Sequence, residues 1–156
     1  MPTDLDKIDL KILAALQSDA TLTTAEIAER AGVSPTPCWR RIQRLEETGY
    51  IRKRVALLDR EKLNVGVTVF VAIRTSQHSV EWLEKFHAAL RDIPEVVEFH
   101  RLSGNIDYLV KAVVPDIAAY DALYKKLITR IELSDVTSMF AMEELKNTTE
   151  LPLSHV

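Results

Sequence analysis

The chain has 156 residues, 47% of them apolar and 28% charged, a globular composition that excludes a disordered chain. Its net charge of −3 excludes a uniformly basic surface, and its one cysteine excludes an internal disulfide. No apolar run approaches the ~18 residues of a membrane span, and the opening MPTDLDKIDLK lacks the basic-then-apolar order of a secretory signal. These features predict a cytoplasmic protein with no membrane partner.

In chain order, Asp6 and Asp9 resemble a helix start, and Ile8, Ile12, Leu13 and Leu16 follow at helical spacing. Thr23 with Glu26 fits a capping box, Ile27, Ala28 and Ala31 supply a short apolar face, and Gly32 sits where a C-terminal cap belongs. Ser34 can cap a third helix whose first turn holds Pro35 and Pro37, where amides have no intrahelical partner. In that helix Cys38, Ile42 and Leu45 form an inward stripe. Thr36, Arg40, Gln43, Arg44 and Glu47 lie on other faces, with Arg41 on the flank. Cys38 reads as a buried core residue rather than a redox sensor. Trp39 reads either as the edge of a small core or as a group that stacks on DNA. Beyond Gly49, Ile51, Val55 and Leu57 alternate with Arg52 and Arg54, predicting a strand.

Charge concentrates in this region. Residues 1–58 hold 9 Lys/Arg against 8 Asp/Glu, whereas residues 59–156 hold 11 against 15. Arg40, Arg41, Arg44, Arg52, Lys53 and Arg54 form a basic patch, which is either a solvated face or a nucleic-acid contact. A short turn between helices, arginines on the third helix and a basic strand after it favour a winged helix-turn-helix.

DREKL at 59–63 opens a linker, and the pattern then changes. GVTVFVAIR at 66–74 predicts a strand, and Ser79 precedes a helix marked by Val80, Leu83, either Phe86 or His87, and Leu90, which Pro94 stops. Residues 95–103 predict a strand, Gly104-Asn105 a turn and residues 107–114 a further strand. Asp116 caps a helix with the stripe Ile117, Tyr120, Leu123, Leu127 and Ile131, and residues 134–146 predict the last strand. This βαββαβ order is the ferredoxin-like split βαβ. The fold class is therefore α+β, with a DNA-binding domain over 1–58, a linker over 59–65 and a sandwich domain over 66–156. The first strand places Val67, Val69, Val71 and Ile73 on one face but Phe70 and Ala72 on the other. The last strand likewise divides Val136, Phe140 and Met142 from Met139, Ala141 and Leu145. Two apolar faces imply a second copy covering one of them.

The four histidines, His78, His87, His100 and His155, have no metal-ligand spacing, and neither a phosphate loop nor a GxSxG motif occurs. We expect no metal, no cofactor and no catalytic residue. Asp107, directly after a turn, reads either as a turn cap or as a carboxylate that meets an ammonium group.

LDKIDLKIL, AEIAERAGVSPTPCWRRIQRLEETGYI, VALLD, GNIDYLVK and MEELKNTTELPL together resemble the leucine-responsive/asparagine-regulator family of transcription factors, the feast/famine regulators. The resemblance implies a sequence-specific regulator that binds double-stranded DNA, forms homodimers or octamers, responds to a free amino acid and resides at the nucleoid. It implies a recognition helix from Ser34 to Glu47, with Ser34, Thr36, Arg40, Arg41, Arg44 and Arg54 as DNA-facing residues. It implies an effector site of Gly104, Asn105, Asp107 and Tyr108 with His100, Ile117, Thr137, Ser138, Met139 and Phe140. In that site Asp107 pairs the effector's ammonium, and Ile117, Met139 and Phe140 wall its side chain. An architectural DNA-compacting protein without an effector is the alternative.

Overall fold

The computed structural model describes residues 5–77, 79–130 and 133–156. The expected stripe residue Ile131 and His78 lie outside the described residues. The chain divides into two compact units. One ends at Leu57 and also takes in Lys146–Val156, and the other runs Leu58–Leu145. The tail, which the sequence reading placed with the sandwich domain, is thus grouped with the helices. There the Leu151 amide donates to Gln17 Oε1 at 2.9 Å and Gln17 Nε2 donates to the Leu151 carbonyl at 3.1 Å.

The first unit contains α1 (Lys7–Ser18), α2 (Thr24–Ala31) and α3 (Pro35–Glu47). Asp6 and Asp9 form a reciprocal capping box at the start of α1, and Thr23 and Glu26 form another at α2. Gly32 closes α2 with φ +76°, a left-handed conformation that glycine adopts without steric cost. Ser34 occupies the N-cap position of α3, but its hydroxyl makes no cap bond; Pro35 starts the helix instead. Ile12, Ile27, Ala28, Ala31, Cys38, Ile42 and Leu45 fill the core, so the three predicted stripes meet. Burial pushes the Cys38 thiol pKa upward, as expected of a core cysteine. Trp39 is 53% exposed and does not close that core.

The strand expected over 51–57 does not form. Its apolar residues Val55 and Leu57 are exposed, and a strand needs a ladder partner that none of the described residues supplies. The linker is a turn over 60–64, in which Asp59 Oδ1 accepts the Glu61 and Lys62 amides. Asn64 takes φ +56° there, a conformation that asparagine tolerates.

The second unit is β1 (Val67–Arg74), α4 (Val80–Arg91), β2 (Val96–Arg101), β3 (Tyr108–Val114), α5 (Ile117–Arg130) and β4 (Asp135–Phe140). The strands form one antiparallel sheet in the order β2-β3-β1-β4. Val69, Val71 and Ile73 of β1 and Tyr108, Val110, Ala112 and Val114 of β3 pack with Phe86 and Leu90 of α4 and Tyr120, Leu123 and Leu127 of α5. The last strand stops at Phe140, short of the expected Lys146. The Ala141 amide reaches the Thr68 carbonyl at 2.9 Å, close to the start of β1, and beyond it Met142 and Leu145 are exposed.

Candidate nucleic-acid interface and ligand site

α3 sets its DNA-facing candidates by helical geometry. At about 100° per residue, Thr36 and Arg40 lie across the helix from the buried Cys38, Ile42 and Leu45, and both are exposed. Arg41 and Arg44 lie on the flank, three residues apart, and both turn toward α1. Arg41 Nη1 donates to Asp9 Oδ1 at 2.8 Å and to Asp6 Oδ2 at 2.7 Å. Arg44 Nη2 meets Asp9 Oδ2 at 2.5 Å. The Asp9 side chain is only 1% exposed, and Asp9 Oδ2 also accepts the Asp6 amide. A carboxylate withdrawn from water in this way requires cationic partners.

Arg54 pairs with Glu46 at 2.8 Å, but both side chains reach solvent and such a surface pair contributes about 0–1 kcal/mol. Among the described residues no ion pair engages Arg40, Arg52 or Lys53. Sequence reading missed Asp9 as an anchor because its capping role explained an acid there. The clue was an acidic residue between the apolar positions Ile8 and Ile12.

Nine of the ten expected effector residues divide into three groups, and Ile117 stands apart at the start of α5. Gly104 (φ +136°) and Asn105 form the turn, whose Asn105 carbonyl accepts the Arg74 side chain. Asp107 stitches this turn to the end of β1. Its Oδ2 accepts the Thr75 amide at 2.9 Å, its own amide donates to the Ile73 carbonyl at 3.0 Å, and its carbonyl accepts the Leu102 amide at 2.8 Å. Tyr108 is 4% exposed and packs among Trp82, Phe86 and Phe99, so its ring belongs to the core. Ser138 and Phe140 share that helix-covered side. The Tyr120 hydroxyl bonds Ser138 Oγ, and the Tyr120 and Phe140 rings meet edge to face at 5.3 Å. His100, Thr137 and Met139 lie on the opposite, open face, and Ile117 starts α5 with 68% exposure.

The register builds that open face in cross-strand rows. Glu98, Lys111, Phe70 and Met139 form one, and His100, Leu109, Ala72 and Thr137 the next. Lys111 Nζ donates to Glu98 Oε1 at 2.8 Å and holds that carboxyl below its usual pKa, while His100 lies 3.2 Å from Glu98 Oε2. A cavity of about 370 Å³ opens between α4 and β2, lined by His87, Leu90, Arg91 and Val96–Phe99, and none of the ten residues lines it. The described residues include no group of three side chains able to hold a metal ion and no helix long and apolar enough to cross a membrane.

The fold and the basic helix define a helix-turn-helix protein with a separate α/β unit. Residues 5–52 match the family described as winged helix-turn-helix DNA-binding, and residues 68–151 match the Lrp/AsnC ligand binding domain. The chain belongs to the Lrp/AsnC family of DNA-binding transcription regulators. It is 54% identical to the glutamate uptake regulatory protein of Zymomonas mobilis subsp. mobilis, over 96% of this chain and 91% of that one. An AsnC family transcriptional regulator from Agrobacterium tumefaciens superposes with a TM-score of 0.94 at 60% identity, covering 97% of this chain and 99% of its own. A transcriptional regulator of Neisseria meningitidis, solved as its L-Met complex, superposes with a TM-score of 0.93 at 38% identity and the same coverage.

Proposed function

We propose that this protein is a cytoplasmic, nucleoid-associated homo-oligomer whose operator binding responds to a free amino acid, and that it carries no catalytic activity. The observation that supports this most directly is the pairing, in one chain, of a separately cored helical unit and a ligand-binding unit. The helical unit presents Ser34, Thr36 and Arg40 outward. α3 enters the major groove of double-stranded DNA, where arginine matches both phosphate and the guanine edge. Arg54, in a weak surface pair, is available to DNA as well.

The effector site lies around Gly104–Tyr108. Asp107 Oδ1 accepts no bond among the described residues and is the group proposed to meet the ammonium. The other expected contacts sit on both sides of the sheet. A second copy seated on the open face through Phe70, Leu109 and Met139 would therefore complete the site, and octamers are dimers further assembled. The L-Met in the Neisseria relative supports an amino acid as the ligand class.

A thermal-shift screen of the twenty amino acids tests the effector, since a ligand that binds only the folded state raises Tm. Competition between a selected duplex and bulk DNA, with and without the hit, tests the response. No Tm shift with any amino acid, together with equal affinity for both DNAs, would count for an architectural protein instead.

A further inference from the structure

We propose that Asp9 is the positioning residue of the DNA-binding unit: it holds Arg41 and Arg44 as anchors of α3, leaving Arg40, Arg52 and Lys53, together with the weakly paired Arg54, as the cations that meet DNA. This rests on the reading that α3 lies in the groove.

Three observations carry it. The Asp9 carboxylate is buried, and each of its oxygens is taken by a different arginine, Oδ1 by Arg41 and Oδ2 by Arg44. Those arginines lie one turn apart on one flank of α3, so two fixed points set the roll of the helix about its axis. A phosphate that drew either arginine away would leave the buried carboxylate short of a cationic partner.

Arg40, by contrast, projects from the side opposite the core, and Arg52 and Lys53 are exposed just after the helix. These three cations can neutralise phosphates without breaking an ion pair among the described residues. Basic residues adjacent in sequence therefore have different roles. Arg40 differs from Arg41 because one residue turns the side chain by about 100°, toward DNA in one case and toward Asp9 in the other.

The test uses a duplex selected by the full-length protein from a random-sequence pool, with calf-thymus DNA as bulk competitor. Affinity is measured across salt concentrations. Arg40→Gln should lower the slope of log affinity against log salt by about one. Arg44→Gln should keep the wild-type slope, lower Tm and reduce the preference for the selected duplex. Pairing Asp9→Asn with Arg44→Gln should recover part of the preference that Asp9→Asn alone loses, because an uncharged amide pair can restore the link.

A measurement on the unaltered protein covers the case in which a variant does not fold. Phenylglyoxal modification mapped by mass spectrometry should show Arg40 shielded by DNA and Arg41 and Arg44 equally reactive with and without it. A slope lowered by about one in Arg44→Gln with Tm unchanged, or an unchanged slope in Arg40→Gln, overturns the assignment. So does shielding of Arg44 but not Arg40. Absence of salt-dependent binding by the wild-type protein would instead overturn the reading of α3 as the DNA-facing helix.

Discussion

At Asp9 one carboxylate accepts the Asp6 amide and two arginine side chains, so its removal unties the start of α1 and the flank of α3 together. Breaking a fully buried pair costs about 3–5 kcal/mol. The arginine ends here are 27% and 38% exposed and can rehydrate, so we expect Asp9→Ala to lose about 2–3 kcal/mol by urea denaturation. A loss under about 0.5 kcal/mol, the level of an ordinary surface substitution, would show that the triad adds little. At Asp107 one oxygen is committed to the Thr75 amide. Asp107→Ala should therefore lower Tm modestly and, on the effector reading, abolish the amino-acid response while operator binding without effector persists. Near-normal ligand affinity by isothermal titration in that variant would leave Asp107 as a turn stitch only.

Asp6 caps the start of α1, Asp19 follows its end and Glu26 completes the capping box of α2, and these exposed carboxylates tie element stability to acid. Bonds from the Asp9 amide to Asp6, from Thr21 to Asp19 and from the Thr23 amide to Glu26 hold those three groups below their ordinary pKa. A depressed carboxylate stabilises the fold above its unfolded pKa, and that contribution is lost as pH falls toward the folded value. Melting of the wild-type protein should thus be flat near neutrality and decline as pH drops below about 4. Asp19→Asn combined with Glu26→Gln should give a shallower decline over the same range; an identical acid profile would argue against these caps as its source.

The same elements show what the sequence could and could not convey. The stripes of α1, α2 and α3 and the β1 alternation were legible because periodicity reports burial directly. The strands after Ile51 and after Phe140 were over-read, since alternation in Val55, Leu57, Met142 and Leu145 says nothing about whether a ladder partner is in reach. Tyr108 sat in a motif that the resemblance assigned to a ligand, yet its ring faces Phe86 and Phe99. Asp9 left a clue in its place between Ile8 and Ile12, but its partners Arg41 and Arg44 did not, because residues 9, 41 and 44 meet only through tertiary packing.

For the whole molecule, the open sheet face is the feature with the widest reach. Phe70 and Met139 are cross-strand neighbours there, away from both helices, and Met139 is 45% exposed in the single chain. A charge at Met139 should leave this fold intact while opposing a second copy. Met139→Asp is expected to lose oligomeric mass in light scattering with unchanged far-UV circular dichroism. Operator affinity should fall with it, as paired half-sites need paired helices. A stable wild-type monomer at micromolar concentration would refute the dimer.

The return of Lys146–Val156 to the helical unit also dictates an order of assembly. During synthesis the three helices emerge first, but the Leu151 backbone that bonds Gln17 arrives only after all of Leu58–Leu145 has been made. The DNA-binding unit is thus both the first begun and the last finished, with the ligand-binding unit threaded between its beginning and its end. A ribosome-released fragment ending at Leu145 would carry every residue proposed to face DNA and still lack the clasp. We expect that fragment to melt its helical unit at a lower temperature than the full chain, and adding the free 146–156 peptide to restore part of the difference.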